Sequence, residues 1–114
     1  MVISQGDVVW ADLGKPVGAE AGYIRPVIVV QGRTFNLSRI DSYVCIPMTG
    51  QIRRANAPGA VLLRATETGL DTDSVAQAHL VLTVDSSRIR EQVGKISDQQ
   101  LHKVLLALDF VLGR

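Results

Sequence analysis

The chain has 114 residues, 46% of them apolar and 20% charged, and a formal net charge of +1. That length suits one packed domain over residues 1–114 and leaves no room for two. No apolar run approaches the ~20 residues of a membrane-spanning helix, and the charge balance excludes the strongly basic field of a non-specific duplex-DNA binder.

The first residues, Met1-Val2-Ile3-Ser4-Gln5-Gly6, lack the basic start and apolar middle of a secretion signal, so a cytoplasmic protein with no membrane association is expected. Gly6 to Leu13 reads as a first strand, with Trp10 filling the core and Gly14-Lys15-Pro16 closing it. A glycine-bounded loop carrying Glu20 follows, and Ile24 to Gln31 is the second strand. Pro26 restricts Arg25 to extended backbone and has no N–H to give to a sheet, so the pair marks the mouth of that strand. Behind it, Val27-Ile28-Val29-Val30 is apolar on both faces, the pattern of a central strand covered on two sides. Arg25 is thereby pinned at the rim of a stiff platform.

Gly32 to Asp41 is a polar, arginine-bearing connection longer than a tight turn, hence a candidate binding loop. Ser42 to Met48 is a third strand, and its Pro47 calls for an edge or a bulge. Thr49 to Gly59 is a second polar loop offering a hydroxyl, an amide and two guanidinium groups. Ala60 to Arg64 reads as a strand, Glu67 to Leu70 as a turn, and Asp73 to Val84 as a long strand or a pair of strands. A single helical turn is expected over Asp85 to Ile89, then a short strand from Gln92 to Ile96. Ser97 and Gln100 form a Ser-x-x-Gln capping box, and Ile96 and Leu101 are placed to staple it. The helix they open carries Leu101, Val104, Leu105, Leu108, Val111 and Leu112 as one apolar stripe and stops at Gly113. Short strands and one closing amphipathic helix imply a small, strongly bent β-barrel or sandwich with the helix packed across it.

The charge is unevenly placed. Residues 32–64 carry Arg33, Arg39, Arg53, Arg54 and Arg64 against Asp41, a local excess of +4, whereas the last fifty residues sum to −2. Nine of the twelve basic residues are arginine, whose planar fork suits phosphates and base edges. Cys45 is alone in an apolar run and reads as a reduced core residue. One cysteine and two histidines, His79 and His102, give no metal-ligand spacing, and no metal or cofactor is expected. Ser74 lacks the flanking glycines of a nucleophile elbow. His102 falls opposite the leucine stripe and is expected to be solvated, and His79, among apolar residues, to be structural. What remains is Glu20, Arg25, Thr49, Gln51, Arg53 and Arg54, all at strand ends or in loops, where a barrel brings them to one rim. Against a phosphodiester, Arg25 can neutralise charge growing on the phosphoryl oxygens. The plain alternative is that Arg25 pairs with Glu20 and stabilises the loop.

Gly6-Asp7-Val8 through Ala11-Asp12-Leu13, then Gly18-Ala19-Glu20 through Arg25-Pro26-Val27-Ile28-Val29-Val30-Gln31, resembles the opening of the MazF/PemK toxins of bacterial toxin–antitoxin pairs. The likeness continues in Thr49-Gly50-Gln51-Ile52, Asp73-Ser74-Val75, Thr83-Val84-Asp85-Ser86-Ser87-Arg88-Ile89 and Val93-Gly94-Lys95-Ile96-Ser97, so it covers nearly the whole chain. It implies a mainly β fold, a compact SH3-like barrel of the CcdB/PemK type with a C-terminal helix, working as a homodimer. It also implies a metal-independent endoribonuclease that cuts single-stranded RNA, chiefly mRNA, at short preferred sequences. In that chemistry the 2′-hydroxyl attacks the neighbouring phosphate and leaves a 2′,3′-cyclic phosphate and a 5′-hydroxyl. The family's catalytic arginine and threonine fall on Arg25 and Thr49. Glu20 and Gln51 fall in loops lining the RNA groove, and Ser74 and Gln77, beside the matching Asp73-Ser74-Val75, complete the implied contacts. Because single-stranded RNA is read on splayed bases by amides and planar side chains, Tyr23, Arg53 and Arg54 join them. The expected partners are RNA and a cognate antitoxin whose acidic, partly disordered C-terminal tail folds along the RNA channel. The alternative is a non-enzymatic CcdB-like toxin that binds DNA gyrase, against which the Arg25-Pro26 and Thr49 pair argues. Leu80-Val81-Leu82 departs from the Gln-Ile-Arg that many similar toxins carry there.

Overall fold

The alternation of side chains along one central strand sets the layering of the molecule. In the computed structural model, which describes residues 2–114, the strands are β1 (Asp7–Asp12), β2 (Ile24–Val29), β3 (Ser42–Thr49), β4 (Ala60–Leu63), β5 (Ser74–Gln77), β6 (Leu82–Asp85) and β7 (Ile89–Lys95). They pair in the order β4-β5-β3-β2-β1-β7, with β6 also on β3, and every pairing is antiparallel. Among the described residues the ladder ends at β4 and β7 and is not closed into a ring by a final pair, so the strand-rich fold is as expected while barrel closure is not seen.

Val27, Ile28 and Val29 of β2 are fully buried, and successive residues serve different cores because side chains alternate across a strand. Ile28, with Val30 beyond it, joins Val8, Ile46, Met48, Leu63 and Val104 on one face. Val27 and Val29 join Ile3, Val9, Ala11, Cys45 and Val84 on the other. Each such burial is worth roughly 1.5–3 kcal/mol, so both faces hold β2 in place. Trp10 is not part of this packing: it is half-buried and belongs to neither core. Its cross-strand partner is Pro26, near the mouth of β2 where Ile24 is already exposed, so the covering layers end before they reach the indole.

Among the described residues three α-helical elements follow in chain order, the single turns α1 (Arg33–Asn36) and α2 (Ala65–Thr68) and the long α3 (Asp98–Val111). The backbone N–H of Gln100 donates to Ser97 Oγ at 3.2 Å, which is one of the two bonds of the expected capping box. Val104 is buried, and Leu101, Leu105, Leu108 and Val111 pack with it against the first core, over β4 and the 3₁₀ turn Ala78–Leu80. Leu112, expected in the stripe, is 59% exposed because it caps the helix after its last turn.

Two expected loops hold a single helical turn each. Within Gly32–Asp41, α1 (Arg33–Asn36) is tied to the sheet by Gln31, whose side-chain amide donates to Asn36 Oδ1 at 3.1 Å and to the Ser42 carbonyl at 2.9 Å. Next, α2 (Ala65–Thr68) is started by two carboxylates: Glu67 Oε1 accepts from the Arg64 N–H and Asp73 Oδ1 from the Ala65 N–H. It ends at Gly69, whose φ is +84°. There the backbone of Thr68 and Gly69 lies directly on Val93 and Gly94 of β7, so a Cβ on Gly94 would collide with the Thr68 carbonyl. Pro47 sits inside a strand that has neighbours on both sides, which the edge or bulge expectation did not foresee. On the outer side, β6 pairs with Ser42–Cys45 and β5 with Met48–Thr49, so Pro47 falls in the gap where one neighbour ends before the next begins. The missing N–H is harmless there. Among the described residues no helix is long and apolar enough to cross a membrane.

Candidate active site

The hairpin between β1 and β2 builds one wall of the site. It is extended by Leu13 N–H to the Tyr23 carbonyl at 2.8 Å and Tyr23 N–H to the Gly14 carbonyl at 2.6 Å, which leaves residues 15–22 as the loop. The turn Val17–Glu20 is clamped twice: Glu20 N–H donates to the Val17 carbonyl at 3.2 Å, and Glu20 Oε1 accepts from the Val17 N–H at 2.8 Å. Gly22 then passes so close to Pro16 that a Cβ would overlap the proline ring. This contact fixes the Gly22 carbonyl, which accepts from Arg25 Nε at 3.0 Å.

The second wall comes from the end of β3 and the 3₁₀ turn Ile52–Asn56. Thr49 Oγ1 accepts from the Gln51 N–H at 3.2 Å, and Gln51 Oε1 accepts from Arg54 Nε at 2.8 Å. Thr49 is opposite Val75 in the β3–β5 pair, and Gln77, two residues further along β5, shares that face. The result is a depression of about 130 Å³ lined by Glu20, Arg25, Thr49, Gln51, Arg54 and Gln77, together with Ala19, Ala21 and Leu80.

Both arginines are anchored through Nε. Arg25 gives Nε to a backbone carbonyl and Arg54 to the exposed Gln51 side chain, and among the described residues neither has a carboxylate within ion-pair distance. The expected pairing of Arg25 with Glu20 is therefore not made; Glu20 is engaged with its own turn. The terminal N–H groups of both guanidiniums are left for a ligand. The Thr49 hydroxyl, with a lone pair already taken by Gln51 N–H, keeps its proton to donate. An arrangement of two guanidiniums, a hydroxyl and two carboxamides around a half-buried hollow suits an oxyanion with several exposed oxygens.

Three residues of the sequence-derived set stand outside the depression. Tyr23 is 63% exposed, and its left-handed φ of +59° breaks the alternation that would put it on the face of Arg25. Arg53 is next to Arg54 on a 3₁₀ turn, where neighbours diverge by about 120°, so the two cannot share one wall. Ser74 is buried, opposite Leu63, and on the other face of β5 from Gln77. No residue of the candidate loop Gly32–Asp41 reaches the depression; Arg33, Asn36 and Leu37 instead line a separate cavity of about 630 Å³ with Val2, Tyr43 and Lys95. Ala19 and Ala21 were not foreseen, since small lining residues carry no chemical signature, and Leu80, remarked in the sequence only as a departure from similar toxins, lines the depression too. Nor was the Gly22 carbonyl, whose only sequence signal is its place three residues before the arginine. Among the described residues no group of three or more His, Cys, Asp or Glu side chains is arranged to hold a metal ion. Cys45 is far from this chemistry in kind: burial pushes its thiol up to about 12.

Residues 4–112 match the family model of the PemK-like, MazF-like toxin of type II toxin-antitoxin systems. The chain is 36% identical over 112 residues to the endoribonuclease MazF6 of Mycobacterium tuberculosis, covering 98% of each protein. It is 34% identical over 116 residues to the endoribonuclease EndoA of Bacillus subtilis, covering 99% of this chain and 97% of the relative. Among solved structures, MazF of Deinococcus radiodurans superimposes with a TM-score of 0.84 at 25% identity, over 100% of this chain and 99% of that one.

Proposed function

The chain belongs to the PemK-like, MazF-like toxins of type II toxin-antitoxin systems, and from that premise we propose that it cuts single-stranded RNA by internal transesterification in the depression around Arg25 and Thr49. It is a toxin endoribonuclease, as its curated relatives are. The observation that carries the finer reading is the pair of arginines held by Nε with their terminal N–H groups unspent.

The scissile phosphate lies against those N–H groups. The 2′-oxygen of the preceding ribose attacks phosphorus as its proton leaves, and the bond from phosphorus to the 5′-oxygen breaks. The products are a 2′,3′-cyclic phosphate and a 5′-hydroxyl, the latter formed by uptake of one proton. Charge on the non-bridging oxygens is greatest in the five-coordinate transition state, and Arg25 stabilises it there with donors that need no reorganisation. Arg54 supplies a second positive fork from the opposite wall. Thr49 donates to a phosphoryl oxygen and fixes the phosphate for in-line attack. A guanidinium offers donors and no acceptor, so Arg25 acts through charge and hydrogen bonding rather than as a base. Nothing in this sequence of events calls on a metal ion, and RNA sequence preference arises where the groove continues past the phosphate.

The working unit in this reading is a homodimer, and the natural inhibitor is an antitoxin whose acidic tail covers the arginine-lined hollow. The gyrase-binding alternative has no support of comparable weight, since the relatives named above are endoribonucleases. The test is incubation of purified protein with a long single-stranded RNA in excess EDTA, with the chemistry of the new ends determined. Cyclic phosphate and 5′-hydroxyl ends are expected, and Arg25→Ala and Thr49→Ala should each abolish most cutting while leaving the melting transition in place. Intact RNA, or 5′-phosphate ends, would refute the mechanism.

A further inference from the structure

The cavity of about 630 Å³ beside α1 takes no part in the chemistry above. Tyr43, one of its walls, lies near the start of β3 and Thr49 ends that strand, so about 20 Å of extended chain separates this cavity from the Arg25 depression. Three stretches distant in sequence help to enclose it: Val2 to Gln5 ahead of β1, the α1 turn, and Lys95 at the end of β7. Ile3 and Tyr43 also line a smaller hollow of about 130 Å³, so the Tyr43 side chain shows surface to both. We propose that this cavity binds a nucleoside phosphate, with the phosphate between Arg33 and Lys95 and the base against Tyr43. The site does not depend on the ribonuclease reading.

Size, charge and shape each narrow the occupant. A volume of this order is that of a small-molecule site, not of a single ion. No Asp or Glu lines the cavity, and among the described residues Arg33 has no carboxylate within ion-pair distance. Lys95 Nζ is 3.9 Å from Asp7 Oδ1, beyond hydrogen-bond reach, and Asp7 Oδ2 already accepts from the Ser4 N–H at 2.8 Å. An anion therefore meets a planar fork and a point charge whose donors are unspent. Half-buried Tyr43 offers a ring for stacking, and Val2, Ile3 and Leu37 add apolar surface for a flat base. The walls are set before a ligand arrives: Gln5 Nε2 donates to the Val30 carbonyl at 3.0 Å and Asn36 Nδ2 to the Gln31 carbonyl at 2.9 Å, which ties the N-terminal stretch and α1 to the chain just past β2. An extended acidic peptide is the weaker fit, because β3 is paired with β2 on one side and β6 on the other and presents no free edge at Tyr43.

Adenosine monophosphate, adenosine and inorganic phosphate are titrated separately into the isotopically labelled full chain, with backbone amide shifts followed residue by residue. Adenosine monophosphate should saturate below about 1 mM and bind at least about tenfold more tightly than either fragment, because it alone uses both ends of the cavity. The shifts should centre on Leu37, Tyr43 and Lys95. Arg33→Ala should weaken the nucleotide roughly 10- to 150-fold, the worth of a charge-assisted hydrogen bond, and leave adenosine unaffected. Tyr43→Leu should weaken nucleotide and nucleoside alike, roughly 5- to 150-fold, and leave phosphate unaffected. Arg33 is exposed, so its variant tests the site even if the Tyr43 variant fails to fold. A short, uncleavable 2′-deoxy oligonucleotide with a terminal phosphate separates two sources of the same chemistry: Arg33-dependent binding tighter than that of the mononucleotide assigns the site to a strand end, and weaker binding assigns it to free nucleotide. Absence of saturable nucleotide binding, shifts confined to Thr49, Gln51 and Arg54, or equal affinity in wild type and Arg33→Ala would each overturn the proposal. A polyglutamate peptide that displaces the nucleotide and binds more tightly in an Arg33-dependent way would overturn it in favour of an acidic protein partner.

Discussion

Replacing Arg25 in two steps separates its charge from its shape. Arg25 is half-buried, gives one hydrogen bond to the Gly22 carbonyl at 3.0 Å, and keeps its terminal nitrogens for the ligand. Arg25→Ala removes a preorganised donor, a change that typically raises a barrier by about 3–4 kcal/mol, so cleavage should fall roughly a hundred- to a thousandfold. Arg54 still faces the same hollow, which is why the loss stops there. Arg25→Lys keeps the charge but has no Nε–H to anchor on Gly22 and offers a point charge in place of a fork. Losing about one charge-assisted hydrogen bond, roughly 1.5–3 kcal/mol, should slow it about 10- to 150-fold. The order is thus arginine, lysine, alanine. Folding stability should drop by only about 1 kcal/mol in either variant, since a single protein contact is lost. Single-turnover cleavage of an end-labelled RNA reads the rates and urea denaturation reads the fold. An alanine variant that is folded and cuts at the wild-type rate would refute the placement of catalysis at this residue. A lysine variant as fast as wild type would refute the argument from geometry while sparing the argument from charge.

Gly22→Ala should push the Pro16 ring away and take the carbonyl anchor from Arg25, lowering both the cleavage rate and the stability, the latter by about 1–3 kcal/mol. Adding Pro16→Ala to it should restore both, as followed by cleavage and denaturation of the single and double variants. Gly94→Ala sets a methyl group against the Thr68 carbonyl and should cost at least about 2 kcal/mol in urea denaturation. An unchanged midpoint would mean that α2 and β7 are not in contact there. Burial raises the Cys45 thiol from 9.0 to about 12, so the folded chain holds a proton that the unfolded chain releases earlier. Stability is untouched by this group below pH 9 and falls as pH rises from about 9 towards about 12. Cys45→Ala should therefore lose stability less steeply than wild type between pH 8 and about 10.5, measured by denaturation at each pH.

Local physics made β2 and α3 legible. The Arg25-Pro26 step fixes backbone angles by sterics, the β-branched run declares burial on both faces, and Ser97 is a helix start whatever surrounds it. Non-local packing was opaque. Nothing in Ser42–Thr49 reveals that its outer edge is divided between two partners, or that Gly69 and Gly94 meet through the backbone. Trp10 misled because a large apolar side chain implies burial only where layers exist to cover it, and Leu112 because a helical period says nothing of where the helix ends. In the site, polar residues at strand ends were visible as types, and the fold gathers Glu20, Arg25, Thr49, Gln51, Arg54 and Gln77. It separates Arg53 from Arg54 and Ser74 from Gln77 through the pitch of a 3₁₀ turn and the alternation of a strand, which depend on where each element begins. Those starting points are set by pairing partners far along the chain.

The break at Pro47 has a mechanical corollary. Arg25 rides on the ladder that includes β1, β2, β6 and β7, whereas Thr49 and Gln77 ride on the one that includes β4 and β5, and β3 is the spine common to both. Any bound strand that touches arginine and threonine together acts as a splint across that joint. Occupancy would then damp relative motion of the two ladders, and an inhibitor seated in the hollow would toughen the whole molecule as well as block it.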